Sequence, residues 1–162
     1  MSEEKFPMTP AGLAKLRSEL KQIREHDRPE NVRDIEVALG HGDLRENAEY
    51  HAAKERQAEL DARMRFLEYK ISRAQVIDPT TLKEKKVTFG ATVTLLDVEH
   101  DAEVVYRLVG EDESDADAGK ISISAPIARA MLGKSVGDEV IVRLPKGDRE
   151  YEVVKVEYKA IL

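Results

Sequence analysis

Gly40-His41-Gly42-Asp43-Leu44-Arg45-Glu46-Asn47-Ala48-Glu49-Tyr50 interrupts an otherwise continuous helical pattern. Glycine is poor in a helix interior and well suited to a reversal, so the chain is expected to turn back here. Upstream, Thr9 has the character of an N-cap and Pro10 that of a first helical residue. Leu13, Leu16, Leu20 and Ile23 then recur at spacings of three and four, the seam of a coiled coil. The pattern lapses around Asp27 and Arg28-Pro29 and resumes at Val32, Ile35 and Leu39. A proline inside a helix costs about 3 kcal/mol. The lapse therefore predicts a kink or local overwinding at 25–29, or two separate helices. Downstream the seam is cleaner: Ala53, Gln57, Leu60, Met64, Leu67, Ile71 and Ala74.

Folded about the reversal, the two seams meet, with Leu13 near Ala74, Leu16 near Ile71, Leu20 near Leu67 and Ile23 near Met64. The expectation is a long antiparallel coiled-coil hairpin with helices over about 10–39 and 44–75 and a tip at about 40–46. A 30-residue helix is about 45 Å long. Its seam holds Leu, Ile and Met near the base but Asp27, Gln57 and Ala53 towards the tip, so the tip half should be held more weakly.

Pro79 ends the helical pattern. Val87 to Leu96 and Val104 to Val109 alternate and are rich in β-branched residues, as strands are. Ile121 to Ile123 reads as a short strand, Pro126 to Leu132 as a short helix, and Glu139 to Leu144 and Tyr151 to Tyr158 as strands around a Lys146-Gly147-Asp148 turn. The chain thus reads as an α+β two-domain protein: a hairpin domain over 1–78, a linker over 79–86 and a globular α+β domain over 87–162.

Composition excludes several classes. The 162 residues include no cysteine, which removes disulfides, zinc thiolates and cysteine nucleophiles and fits a reducing cytoplasm. No apolar run approaches a membrane span, and the charged start Met-Ser-Glu-Glu-Lys lacks a signal-peptide core. Residues 1–75 carry 14 Lys and Arg against 15 Asp and Glu, and residues 76–162 carry 12 against 17. Neither half has the basic balance of a protein held to nucleic acid through phosphates, so a partner would do most of the holding. No P-loop, G-x-S-x-G, G-x-G-x-x-G or H-E-x-x-H occurs, and no self-contained active site is read.

Two readings stand for Asp43-Leu44-Arg45-Glu46. It has the form of a capping box, with Asp43 as N-cap and Glu46 reaching back. The same two carboxylates are also hard oxygen donors able to complete a magnesium site whose remaining ligands come from another molecule. His41 and His51 lack a regular ligand spacing and read as polar helix-end residues. Arg24, Arg28, Arg33, Arg45, Lys54 and Arg56 alternate with acids, the pattern of a solvated face with helix-stabilising pairs.

The run Gly42-Asp43-Leu44-Arg45-Glu46-Asn47-Ala48-Glu49-Tyr50-His51-Ala52-Ala53-Lys54-Glu55 resembles the signature of the bacterial GreA/GreB transcript cleavage factors. Pro7-Met8-Thr9, Ala74-Gln75-Val76-Ile77-Asp78, Phe89-Gly90-Ala91-Thr92-Val93, Tyr106-Arg107-Leu108-Val109-Gly110 and Ser124-Ala125-Pro126-Ile127-Ala128-Arg129 resemble the family too. So do Gly133-Lys134 and the closing Val153-Val154-Lys155-Val156-Glu157-Tyr158. The near-neutral arm is similar to the GreA side of the family. The resemblance implies an FKBP-like fold for the C-terminal domain. It implies bacterial RNA polymerase as partner, entered through its secondary channel with the globular domain at the rim, and the nascent RNA 3′ end near the tip. Asp43 and Glu46 would help to hold a magnesium ion shared with the polymerase, the chain having no cofactor of its own, and stimulate cleavage of backtracked RNA. A cytoplasmic monomer is expected. The alternatives are an FKBP-like prolyl isomerase, a polymerase inhibitor of the same fold, and an arm that only dimerises.

Overall fold

The computed structural model describes residues 4–42 and 47–162. The chain divides into two compact units, one formed by Ala14–Arg73 and the other by Glu4–Leu13 together with Ala74–Leu162. This differs from the expected hairpin domain of 1–78, because the first helical turn and the strand before it group with the C-terminal residues.

In the helical unit, α1 (Pro10–Gln22) runs through a π-helical turn, Ile23–Asp27, into α2 (Arg28–Leu39), and α3 spans Ala48–Ser72. The expected overwinding is corrected to underwinding: the Arg28 amide donates to Ile23 O, five residues back. One extra residue is thereby inserted before Pro29. Pro29 then falls at the start of α2, where its missing N–H is not required.

The insertion also moves the seam. An unbroken pattern from Leu16, Leu20 and Ile23 would continue through Glu30, Asp34 and Val37. One added residue brings Asn31, Ile35 and Ala38 to the inner face instead. Asn31 is 2% exposed and Ala38 1%, whereas the expected seam residues Val32 and Leu39 are 48% and 46% exposed. Asn31 Nδ2 donates to Ala53 O at 2.9 Å.

Along α3 the expected seam holds, with Ala53, Met64 and Leu67 buried. The arm's charges act mainly across the helices. Arg63 donates to both carboxylate oxygens of Glu19 at 2.7 and 2.9 Å, Arg24 meets Glu68 at 2.6 Å, and Arg28 meets Asp61 at 3.6 Å. From Arg24 to Arg28 to Asn31 the partners descend along α3 from Glu68 to Asp61 to Ala53, so the helices run antiparallel. The hydrogen bonds from Arg63 hold the Glu19 carboxyl below its ordinary range.

The other unit opens with β1 (Phe6–Met8), which pairs in parallel with β2 (Ala74–Val76). The second helix is expected to run to about 75; α3 stops at Ser72, and Ala74 and Gln75 belong to β2. The main sheet contains β3 (Thr92–Asp97), β4 (Ala102–Val109), β5 (Lys120–Ser122), β6 (Glu139–Leu144) and β7 (Gly147–Glu157), in the order β5-β4-β3-β7-β6. Only β4 and β5 are parallel within it. The strand expected from Val87 starts later, because Phe89-Gly90 turns with Gly90 at φ +87°. The short helix α4 (Pro126–Met131) adds Ala128 and Met131 to a core of Val87, Val93, Leu95, Leu108, Val140 and Val153.

One carboxylate fixes the start of α1 within this unit. Thr9 Oγ1 caps the helix by accepting from Gly12 N at 3.1 Å. Glu113 Oε2 in turn accepts from Thr9 N and Gly110 N, each at 3.0 Å, and Glu113 Oε1 accepts from the Thr9 hydroxyl. A Cβ on Gly12 would lie 2.2 Å from Glu113 Cδ, so the carboxylate occupies the space a side chain there would need.

Alanine is intrinsically better in a helix than glycine by about 1 kcal/mol. Gly12→Ala should nevertheless destabilise this unit by about 1–3 kcal/mol, because it displaces a carboxylate with three hydrogen bonds. Denaturant unfolding measures this. A combined Gly12→Ala, Glu113→Ala chain should lose less than the two single losses added together. A Gly12→Ala chain more stable than the parent would show that the seat is not tight.

Candidate functional site

The candidate carboxylates Asp43 and Glu46 lie outside the described residues, but both shoulders of the reversal are described. On the first, the last turn of α2 tightens: Gly40 N donates to Val37 O at 3.1 Å and His41 N to Ala38 O at 3.1 Å. Gly42 follows at φ +90°, a left-handed conformation that favours glycine.

On the second shoulder, Asn47 is the N-cap of α3. Its backbone is extended at φ −85° and ψ 91°, and its Oδ1 accepts from Tyr50 N at 2.9 Å. Asn47 Nδ2 donates to Ala38 O at 2.6 Å, so one buried side chain both caps the outgoing helix and ties it to the end of the incoming one. The N-cap of α3 is therefore Asn47, while the expected cap at Asp43 and the expected helix start at 44 lie outside the described residues. Tertiary position selects Asn47, the residue whose amide offers an acceptor to Tyr50 N and a donor to Ala38 O together.

The neighbouring titratable groups have local partners. His41 Nδ1 lies 3.2 Å from Glu49 Oε2, and the His51 ring meets Tyr50 edge-on at 5.7 Å. Among the described residues, no group of three or more His, Asp or Glu is placed to hold a metal ion. Beside the tip, Asp34, Val37, Glu49, Ala52, Ala53 and Arg56 line an open groove of about 400 Å³. Asp43 and Glu46 offer oxygen donors, the ligand type hard divalent cations take, but two carboxylates do not fill an octahedral shell. With Asn47 Oδ1 engaged as the cap, that donor set fits a cation whose other ligands come from elsewhere.

In the C-terminal unit the aromatic residues serve the core. Tyr151 and Phe89 are buried, and the Tyr158 hydroxyl accepts from Thr88 N at 3.0 Å and donates to Lys86 O. A groove of this unit, lined by Ala130, Lys134, Asp138, Glu139, Ile141 and Arg143, has no aromatic ring in its lining. Asn47 is the residue that the sequence reading missed. Its signal was present, since Asn is among the strongest N-caps and precedes an uninterrupted helical run, but the acidic D-x-x-E pattern four residues earlier resembled a capping box more closely.

Comparison with known proteins covers nearly the whole chain. Residues 6–76 match the family model of the N-terminal domain of transcription elongation factors, and residues 82–158 match that of the GreA/GreB C-terminal domain. The transcription elongation factor GreA of Francisella philomiragia is 51% identical over 160 residues, spanning 98% of this chain and 100% of that one. GreA of Nitratiruptor sp. is 52% identical over 159 residues, spanning 98% and 97%. Among solved structures, GreA factor homolog 1 of Thermus thermophilus is 28% identical, with 95% of this chain and 99% of that chain covered and a TM-score of 0.44.

Asn47→Ala should raise hydrogen exchange at the Tyr50 amide by roughly 5–30-fold, the equivalent of about 1–2 kcal/mol of capping. Asn47→Asp keeps the cap but faces Ala38 O without a donor, so it should protect the Tyr50 amide while loosening the reversal. Unchanged exchange in Asn47→Ala would remove Asn47 from this role.

Proposed function

The chain belongs to the GreA/GreB family of transcription elongation factors, and from that premise we propose that it stimulates cleavage of backtracked RNA inside bacterial RNA polymerase. It is an accessory factor in transcript elongation. In this reading the two-helix unit is an antiparallel coiled coil that enters the secondary channel. The C-terminal unit is an FKBP-like domain that docks at the rim, and the factor works in the cytoplasm as a monomer.

The observation that carries the reading is the division of labour at the reversal. Asn47 supplies the cap of α3 and the tie to α2. With the cap of α3 supplied by Asn47, α3 does not call on the acidic pair for that duty, which supports the metal-ligand reading.

Magnesium bound between the tip and the polymerase would supply Lewis-acid activation of the scissile phosphate and of the attacking water. Asp43 and Glu46 would contribute negative oxygen donors to that shared ion, fixing it and its water against the RNA. Being carried on an arm, they act only when the arm is inserted, so that hydrolysis is switched on by binding. Two carboxylates alone make a weak magnesium site, because they leave most of an octahedral shell to other ligands. The aromatic residues of the C-terminal unit are spent on the core, and nothing in that unit favours a prolyl isomerase.

With a halted, backtracked polymerase and labelled RNA, the chain should accelerate 3′ cleavage. Asp43→Asn should lower that acceleration by roughly 100-fold, and Glu46→Gln should lower it less, with helicity unchanged in both. Full stimulation by Asp43→Asn would remove the metal role.

A further inference from the structure

The sheet of the C-terminal unit ends in a strand that the tip chemistry does not use. β6 pairs with β7 on one side and stands last in the sheet order on the other. Its burial alternates: Val140 and Val142 enter the core, whereas Glu139, Ile141 and Arg143 share the outer face, with Ile141 44% exposed. Those three residues also line the open groove shared with Ala130 and Lys134.

The backbone bonds show which residues serve the outer edge. Residues of an antiparallel ladder point their N–H and C=O groups to alternate sides. Asp138 O accepts from Val153 N at 2.9 Å, so residues 138, 140, 142 and 144 face β7. Glu150 stands opposite Ile141, and its carbonyl accepts from Val98 N at 3.2 Å, on the side away from β6. Glu139, Ile141 and Arg143 therefore turn their amides and carbonyls outward. Such an edge is a template for another strand.

This edge is complementary to its own reverse. Laid antiparallel about a two-fold axis at Ile141, two copies place Ile141 against Ile141 and each Glu139 against the Arg143 of the second copy. Every outward amide then meets an outward carbonyl. Moving the axis to Val142 sets Glu139 against Pro145, which has no N–H. Moving it to Val140 sets Arg143 against Gly137, whose N–H is given to Val153 O at 2.8 Å. A parallel alignment in register opposes like charges, which is unfavourable. We propose that β6 is a self-association edge, through which two copies of this chain join their sheets into one. The contact is isologous, so it closes at two copies and does not propagate. It is also small, which makes the dimer weak and reversible. The acting form proposed above remains the single chain, and the pairing does not rest on the cleavage-factor reading.

Sedimentation of the full chain over about 10 µM to 1 mM, a range that spans weak association, tests this. The parent should move from monomer towards dimer as concentration rises, and no further. Arg143→Glu opposes carboxylates across the axis and Glu139→Arg opposes cations, so each should weaken the dimer about tenfold or more. The double exchange Glu139→Arg, Arg143→Glu restores opposite charges and should recover the parent's association. Circular dichroism and the thermal midpoint confirm that each variant is folded. A parent that stays monomeric throughout overturns the proposal, as does equal association by the parent and both single variants. A folded double exchange that fails to recover overturns the pairing of Glu139 with Arg143, and assembly beyond two copies overturns the closed contact.

Discussion

The helical unit depends on one inserted residue. Had the chain kept an unbroken α-helical ladder through Ile23–Asp27, the face turned to α3 would have presented Glu30, Asp34 and Val37. The single underwound turn presents Asn31, Ile35 and Ala38 instead. Three later features follow from that shift. Pro29 falls where a helix tolerates it, Asn31 reaches Ala53 O, and Ala38 offers its carbonyl to Asn47. A buried asparagine in a helical seam adds little to stability but disfavours slipped registers, because in any other register its amide would be buried without a partner. The apolar seam at the base supplies burial, and the polar pair Asn31 and Asn47 supplies register towards the tip.

This arrangement explains which parts of the fold were legible in the sequence. The seam of α3 was readable because nothing interrupts its period, and β4, β6 and α4 were readable from alternation and from Pro126. The seam of α2 was misread because Val32, Ile35 and Leu39 repeat at helical spacing on their own. An inserted residue leaves no trace in composition, and only the burial of Asn31 and Ala38 against the exposure of Val32 and Leu39 reveals it. The strands β1 and β2 were missed because each is three residues long and pairs with a segment far away in sequence. Likewise, β-branched Val87 and Thr88 suggested a strand that the left-handed Gly90 delays.

The candidate site divided along the same line. Its residue types were legible, as a pair of carboxylates beside glycines, but their duty was not. A capping box and a half-made cation site call for the same side chains at the same spacing. The described residues decide the structural half of that question by assigning the cap to Asn47. Family membership points to RNA polymerase as the partner with which the proposed metal role would be shared. Within the C-terminal unit, the Glu113 carboxylate performs a comparable service for α1, holding Thr9 and Gly110 through bonds that no local pattern announces.

The central claim is that Asn47 builds the reversal so that Asp43 and Glu46 are left to share a metal ion with the polymerase. The magnesium concentration giving half-maximal cleavage of a backtracked complex tests it most directly, measured with the parent chain and Glu46→Gln. The account predicts that Glu46→Gln needs about tenfold or more magnesium than the parent. An unchanged magnesium requirement in Glu46→Gln would contradict it.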